Sequence, residues 1–366
     1  DKSGDIVDIV SFSQRGRKPR HLGAVEIVGV RTTTTIEIAL IRGLQIPVVD
    51  SGKRRRAERI IAESITRMVE VNQSSSLDSS EEQLEEFWDP VLKAICASET
   101  FKESGKKDLA QFLFFSSDYT YSVKNCLAFA RENARMVRDQ LSMEMWLELN
   151  NIFLFFQSGE AEEIFMQDSQ IFFQKVIRFS LVFQGLAGAT IPHDEGWHFM
   201  ALGTFLERAD QTSRMLDTLN FQTHIPSRLD LLAVLRSCSA RTAFRRQYRG
   251  ELSMRNVADF LLFSQDFPRS IRFSIRCIDE NLHAISGVPS GNFSNEAERL
   301  IGSSLAMVNF TDINAVLSIG LHQTIDDLQK KLMKVGQCIF ETYVLLPFEI
   351  KSVNQSLTAH AQAQQQ

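Results

Sequence analysis

The chain has 366 residues, a formal net charge of −5 and 44% hydrophobic residues. That length suits one large domain or two small ones, and the slight negative balance disfavours nucleic acid as a partner. The longest apolar stretches, such as IFLFF at 152–156, are far too short to cross a bilayer.

In chain order, residues 1–53 stand apart. VEIVGVR (25–31) and TTTTIEIALI (32–41) are β-branched and loosely alternating, a strand signal. Basic clusters flank them, RGRKPR at 15–20 and KRRR at 53–56, a pattern common in solvated lead-in segments. From residue 54 the periodicity turns helical. It predicts helices at 54–73, 80–99, 106–115, 118–140, 143–157, 162–186, 195–221, 227–239, 254–263, 267–286, 294–308, 311–318 and 321–346. Asp118 and Asp266 are the expected N-caps of their helices, with Pro268 in the first turn of the latter. Ser79 and Glu82 have capping-box spacing. A polar tail follows at 347–366.

Two stretches repeat. DLAQFLFFSSDYTYSVKNCLAFARENARMVR (108–138) and NVADFLLFSQDFPRSIRFSIRCIDENLHAIS (256–286) share nine identities at a constant offset of 148. AESITRMVE (62–70) matches ADQTSRMLD (209–217) at offset 147. Matches in one order at nearly one offset predict an internal duplication of whole helical assemblies. The expected fold is all-α: a helical bundle of two pseudo-repeats of about 148 residues, 54–192 and 193–346. Function is to be sought where the copies differ.

The segment EGWHFMALGTFLERADQTSRMLDTLNF (195–221) carries the candidate chemistry. On a helical projection Glu207, Asp210, Arg214 and Asp217 share one polar wedge, and Asp210–Arg214 is an i,i+4 acid–base pair. Arg208 falls on a nearly apolar face and is expected to be partly buried, which calls for a carboxylate. Glu280 is the candidate, with Glu132 as its repeat mate. The pair either fixes helix packing or builds an anion pocket at Arg208. In the first copy Ile60 and Ile61 replace Glu207 and Arg208, while the Glu63–Arg67 spacing survives. Arg131, Arg135 and Arg138 form a further basic stripe.

Glu195–His198 and Glu280–His283 have the Glu-x-x-His spacing of di-metal carboxylate bundles. The repeat breaks both: Arg135 stands opposite His283, and Val48 and Ser51 stand opposite Glu195 and His198. No Walker loop, GxGxxG or GxSxG occurs, so no cofactor is expected. The five cysteines, Cys96, Cys126, Cys238, Cys277 and Cys338, show no CxxC spacing and read as reduced thiols of a cytoplasmic protein.

HDEGWHFMALGTFLERADQTSRMLD (193–217), together with ARENARMVR, EMWLELNN, LLFSQDFPRSIRF, ENLHAI and FSNEAERLIG, resembles the Alpha-E family of bacterial helical proteins with a Glu-Arg motif. The resemblance spans about 54–346 and places the motif on Glu207 and Arg208, with Asp210 and Arg214 beside it. Family members usually begin with an earlier Glu-Arg-Ala-Glu, where this chain has Ile60, Ile61, Ala62 and Glu63; residues 1–53 do not resemble the family start. The resemblance implies an accessory role beside ATP-grasp-like amide ligases and transglutaminase-like peptidases. An enzyme or small-molecule binder with an anion pocket at Arg208, or a di-metal protein, is the alternative.

Overall fold

The structure, a computed structural model, describes residues 58–75, 81–95, 97–105, 108–222 and 225–343, with side chains at 62–71 and from 88 onward within those spans. The strand-prone lead-in, the Ser79–Glu82 spacing, Cys96 and the tail 347–366 lie outside what it describes.

The described residues contain helices and no strand. In order these are α1 (Glu58–Ser75), α2 (Glu81–Ala94), α3 (Ser98–Ser104), α4 (Leu109–Phe115), α5 (Val123–Met136), α6 (Met143–Gln157), α7 (Glu160–Gln167) and α8 (Ser169–Thr190). Then come α9 (Glu195–Asp217), α10 (Arg228–Ser237), α11 (Arg241–Tyr248), α12 (Met254–Phe263), α13 (Ile271–Ser286), α14 (Glu296–Phe310), α15 (Ile313–Ile319) and α16 (Leu321–Tyr343). Short 3-10 turns follow α5 and α9.

Side-chain caps set most boundaries, and they correct several expected ones. α5 and α13 start later than expected because Ser122 and Ser270, not Asp118 and Asp266, are the caps. Ser122 Oγ accepts from the Asn125 amide at 3.3 Å and Ser270 Oγ from the Phe273 amide at 3.1 Å. Pro268 belongs to the turn before α13. The helix expected over 162–186 is two helices. Asp168, in an extended conformation, caps α8 through the Gln170 and Ile171 amides at 2.9 and 3.2 Å. The span 80–99 likewise divides into α2 and α3. α11 was not expected: its sequence RTAFRRQY buries Phe244 alone, too little for a periodic signal.

Two rings of four helices organise the packing. α1 packs on α5, α5 on α6, α6 on α8, and α8 back on α1. α9, α13, α14 and α16 close in the same order. Apolar faces drive this; burial of side chains such as Phe172 and Ile278 removes on the order of 2 kcal/mol of apolar hydration each. The first ring holds an aromatic core in which Phe172 meets Phe114 edge-on at 5.0 Å and Phe165 at 5.3 Å. α1 and α9 touch, and α10 packs on α1, so the rings share one continuous core. α14 and α15 meet at 106° instead of continuing as one rod, and among the described residues no single helix is long and apolar enough to cross a membrane.

Candidate functional site

The seam between the rings carries buried charge. It starts at Glu63 on α1, whose carboxylate is 1% exposed. One turn on, Arg67 Nε donates to Glu63 Oε1 at 2.9 Å. From α8, Ser180 Oγ donates to Oε2 at 2.8 Å and Gln184 Nε2 at 3.3 Å. The α12–α13 turn delivers Arg269, whose guanidinium donates to Glu63 Oε1. That turn is itself held by α9, where Thr212 Oγ1 donates to the Arg269 carbonyl at 2.8 Å. Burial pushes the Glu63 carboxyl up, but the Arg269 and Arg67 charges and the Ser180 hydroxyl outweigh it and hold it at about 2.

Arg208 joins this cluster from α9. Its NH2 donates to Gln184 Oε1 at 2.5 Å, and the guanidinium lies over the Phe205 ring at 5.4 Å. Gln184 thus turns its amide oxygen to a cation and its amide nitrogen to a carboxylate. Burial, with the Arg269 charge adding to it, brings Arg208 down to about 10.

The Arg208–Glu280 pair expected from the sequence is absent. Glu280 is 63% exposed and sits 3.6 Å from Arg276. The physical reason is helical phase: on α13 it is Cys277 that faces Arg208's charge and Asn281 that is buried against α9, leaving Glu280 on the solvent side. Glu132 is also exposed and pairs with Arg135 at 2.6 Å. Glu207 and Arg208, adjacent in sequence, point to different surroundings: Glu207 is buried and accepts from Gln211 at 2.6 Å. Asp210 and Arg214 form a two-pronged pair at 2.7 and 3.1 Å, and Arg214 also donates to the Ala94 carbonyl at 2.9 Å, tying α9 to the end of α2.

The Glu-x-x-His residues find other partners. His198 Nδ1 lies 2.7 Å from Asn281 Oδ1, and His283 Nδ1 lies 2.9 Å from the Val288 carbonyl. Glu195 stands half-buried in the first turn of α9. Among the described residues no three His, Cys, Asp or Glu side chains are placed to hold a metal ion. Of the basic stripe, Arg135 pairs with Glu132 on its own helix, while the other two turn to α6: Arg131 donates to Asn150 at 2.7 Å and lies 4.6 Å over Phe153, and Arg138 lies 5.1 Å over Trp146. Cys126, Cys238, Cys277 and Cys338 are buried thiols. Burial pushes the Cys238 thiol up to about 12 and Cys277 up to about 11, so neither is a ready nucleophile.

Sequence reasoning missed Arg269, Ser180 and Gln184. A signal existed for the first. Arg269 stands one residue before a serine shared by both copies, and the first copy has Tyr121 in its place.

Residues 54–344 match the Alpha-E family model, described as a predicted alpha-helical domain with a conserved ER motif. Similar proteins include the uncharacterised protein Mb2597 of Mycobacterium bovis and the uncharacterised protein MT2643 of Mycobacterium tuberculosis, each 26% identical over 228 residues. The uncharacterised protein Rv2567 of Mycobacterium tuberculosis is 25% identical over the same length. Each alignment covers 58% of this chain and 25% of the relative, so the chain spans about a quarter of the length of the curated relatives it matches. No solved structure gives a match.

Proposed function

The chain belongs to the Alpha-E family, and from that premise we propose that it is a helical accessory protein. It works beside an ATP-grasp-like amide ligase and a transglutaminase-like peptidase in forming or processing peptide or amide bonds, in the cytoplasm. The observation that carries the accessory role is the proportion of the matches. In the relatives, a region like this one is a quarter of a much longer chain, as expected of a module that serves neighbouring segments. The classes of partner come from the resemblance of the motifs around Glu207 and Arg208 to the family.

The same proposal treats the chain as two pseudo-repeats, 54–192 and 193–346. The shared neighbour order of the two rings supports this, as do the matching caps Ser122 and Ser270. Glu63 and Asp210 then occupy equivalent places, each with an arginine one turn on.

The test is recovery of the tagged full chain from its native lysate with mass spectrometry of the co-purifying chains. An ATP-grasp-like ligase or a transglutaminase-like peptidase is the expected companion. Repeated recovery of the chain without either counts against the accessory role.

A further inference from the structure

The seam is not electrically balanced. One carboxylate, Glu63, receives Arg67 and Arg269 directly and Arg208 through the Gln184 amide. Three guanidinium groups therefore share one negative charge. Among the described residues, no carboxylate lies within ion-pair distance of Arg208.

Exposure runs in the opposite sense to charge. Glu63 is sealed at 1%, whereas Arg67 and Arg269 retain 15% and 14% and Arg208 is half-buried. The acid is closed off while the bases still reach water. A guanidinium offers five donors in a planar fork suited to two oxygens of a carboxylate or phosphate. Arg208 spends one such donor on a neutral amide and rests its face on Phe205. On α8, Gly185 beside Gln184 and Gly188 one turn on are both exposed, and a methyl group added at either meets nothing within 4 Å.

We infer that Arg208, supported by Arg269 and Gln184 at the seam of α8 and α9, binds an oxyanion: the carboxylate or phosphate group of a small ligand. The anion completes the charge that Glu63 leaves unmatched. Burial, which holds Arg208 below its ordinary range, also strengthens its attraction to an incoming negative group. The site stands apart from the accessory role, since a module without a partner still binds the anion.

Calorimetric titration of the full chain at low chloride tests this, with inorganic phosphate and acetate as separate probes. Saturable binding of one equivalent of at least one anion is expected, and the preferred probe tells a phosphate ligand from a carboxylate. Arg208→Met abolishes binding. Arg208→Lys keeps the charge but loses the fork, weakening binding roughly tenfold, the worth of one charge-assisted hydrogen bond. Glu280→Gln, on the solvent side of α13, leaves it unchanged. If Arg208→Met does not fold by circular dichroism, the Lys variant decides. No saturable binding of either anion by the unaltered chain overturns the site, as does full affinity in a folded Arg208→Met or, where that variant does not fold, in Arg208→Lys.

Discussion

Glu63 is the side chain on which the seam depends. Its carboxylate is buried and charged because four groups, on two other segments and on its own helix, surround it. Removing one partner of a buried pair strands the other, so Glu63→Ala is expected to cost about 3–5 kcal/mol in urea unfolding. The pH dependence has a defined sign. The folded carboxyl titrates at about 2 against an ordinary 4.5, so its stabilisation is complete above pH 4.5 and is lost as pH falls toward 2. In Glu63→Gln this stretch of the stability profile flattens; parallel profiles for the two proteins would refute the assignment. Arg208 behaves differently. In the anion-free protein, Arg208→Met is expected to be neutral or stabilising by about 1 kcal/mol, since it removes a cation with no carboxylate of its own. Glu280→Ala, at an exposed ion pair, changes thermal stability by less than about 0.5 kcal/mol. A loss of several kcal/mol in the Glu280 variant would mean that it has a buried partner after all.

At the scale of elements, serine caps outrank the aspartates that the sequence pattern favoured. Ser122→Ala is expected to cost about 1 kcal/mol. Ser270→Ala costs more, because Ser270 Oγ also donates to the Ser264 carbonyl at 2.5 Å. Asp118→Ala and Asp266→Ala stay within about 0.5 kcal/mol, a ranking that chemical denaturation of the four variants checks. Helices such as α9 and α13 were legible because their apolar residues recur every 3.6 positions. Asp118 misled because aspartate before an apolar run has the same signature whether it caps a helix or begins a turn. Asp168 was passed over because apolar periodicity continues on both sides of it. Within the site, Glu63 and Arg67 were visible as an i,i+4 spacing. Gln184 and Arg269 were not, since their partners lie 121 and 206 residues away and no local pattern encodes such a contact. Glu280 was misassigned because a single residue step turns a helical side chain by about 100°.

For the whole molecule, the seam makes the rings interdependent. Chain cut between α8 and α9 leaves Glu63 without Arg269, and leaves Arg208 without Gln184. The separate halves are therefore expected to unfold without a sharp thermal transition, whereas the intact chain unfolds as one unit. Two sharp, independent transitions from the isolated halves would contradict this.

That interdependence also has a timetable. The hydrogen bond from Arg269 to Glu63 spans 206 residues. At ribosomal rates of ~5–20 residues per second, α1 waits about 10–40 s after its own synthesis for that partner. During this interval Arg67, Ser180 and Gln184 are made first, and the α9 and α10 surfaces that cover α1 follow, but the second guanidinium on Glu63 comes last. The nascent chain passes through a period of exposure to proteases and holding chaperones, which ends when the α12–α13 turn leaves the exit tunnel.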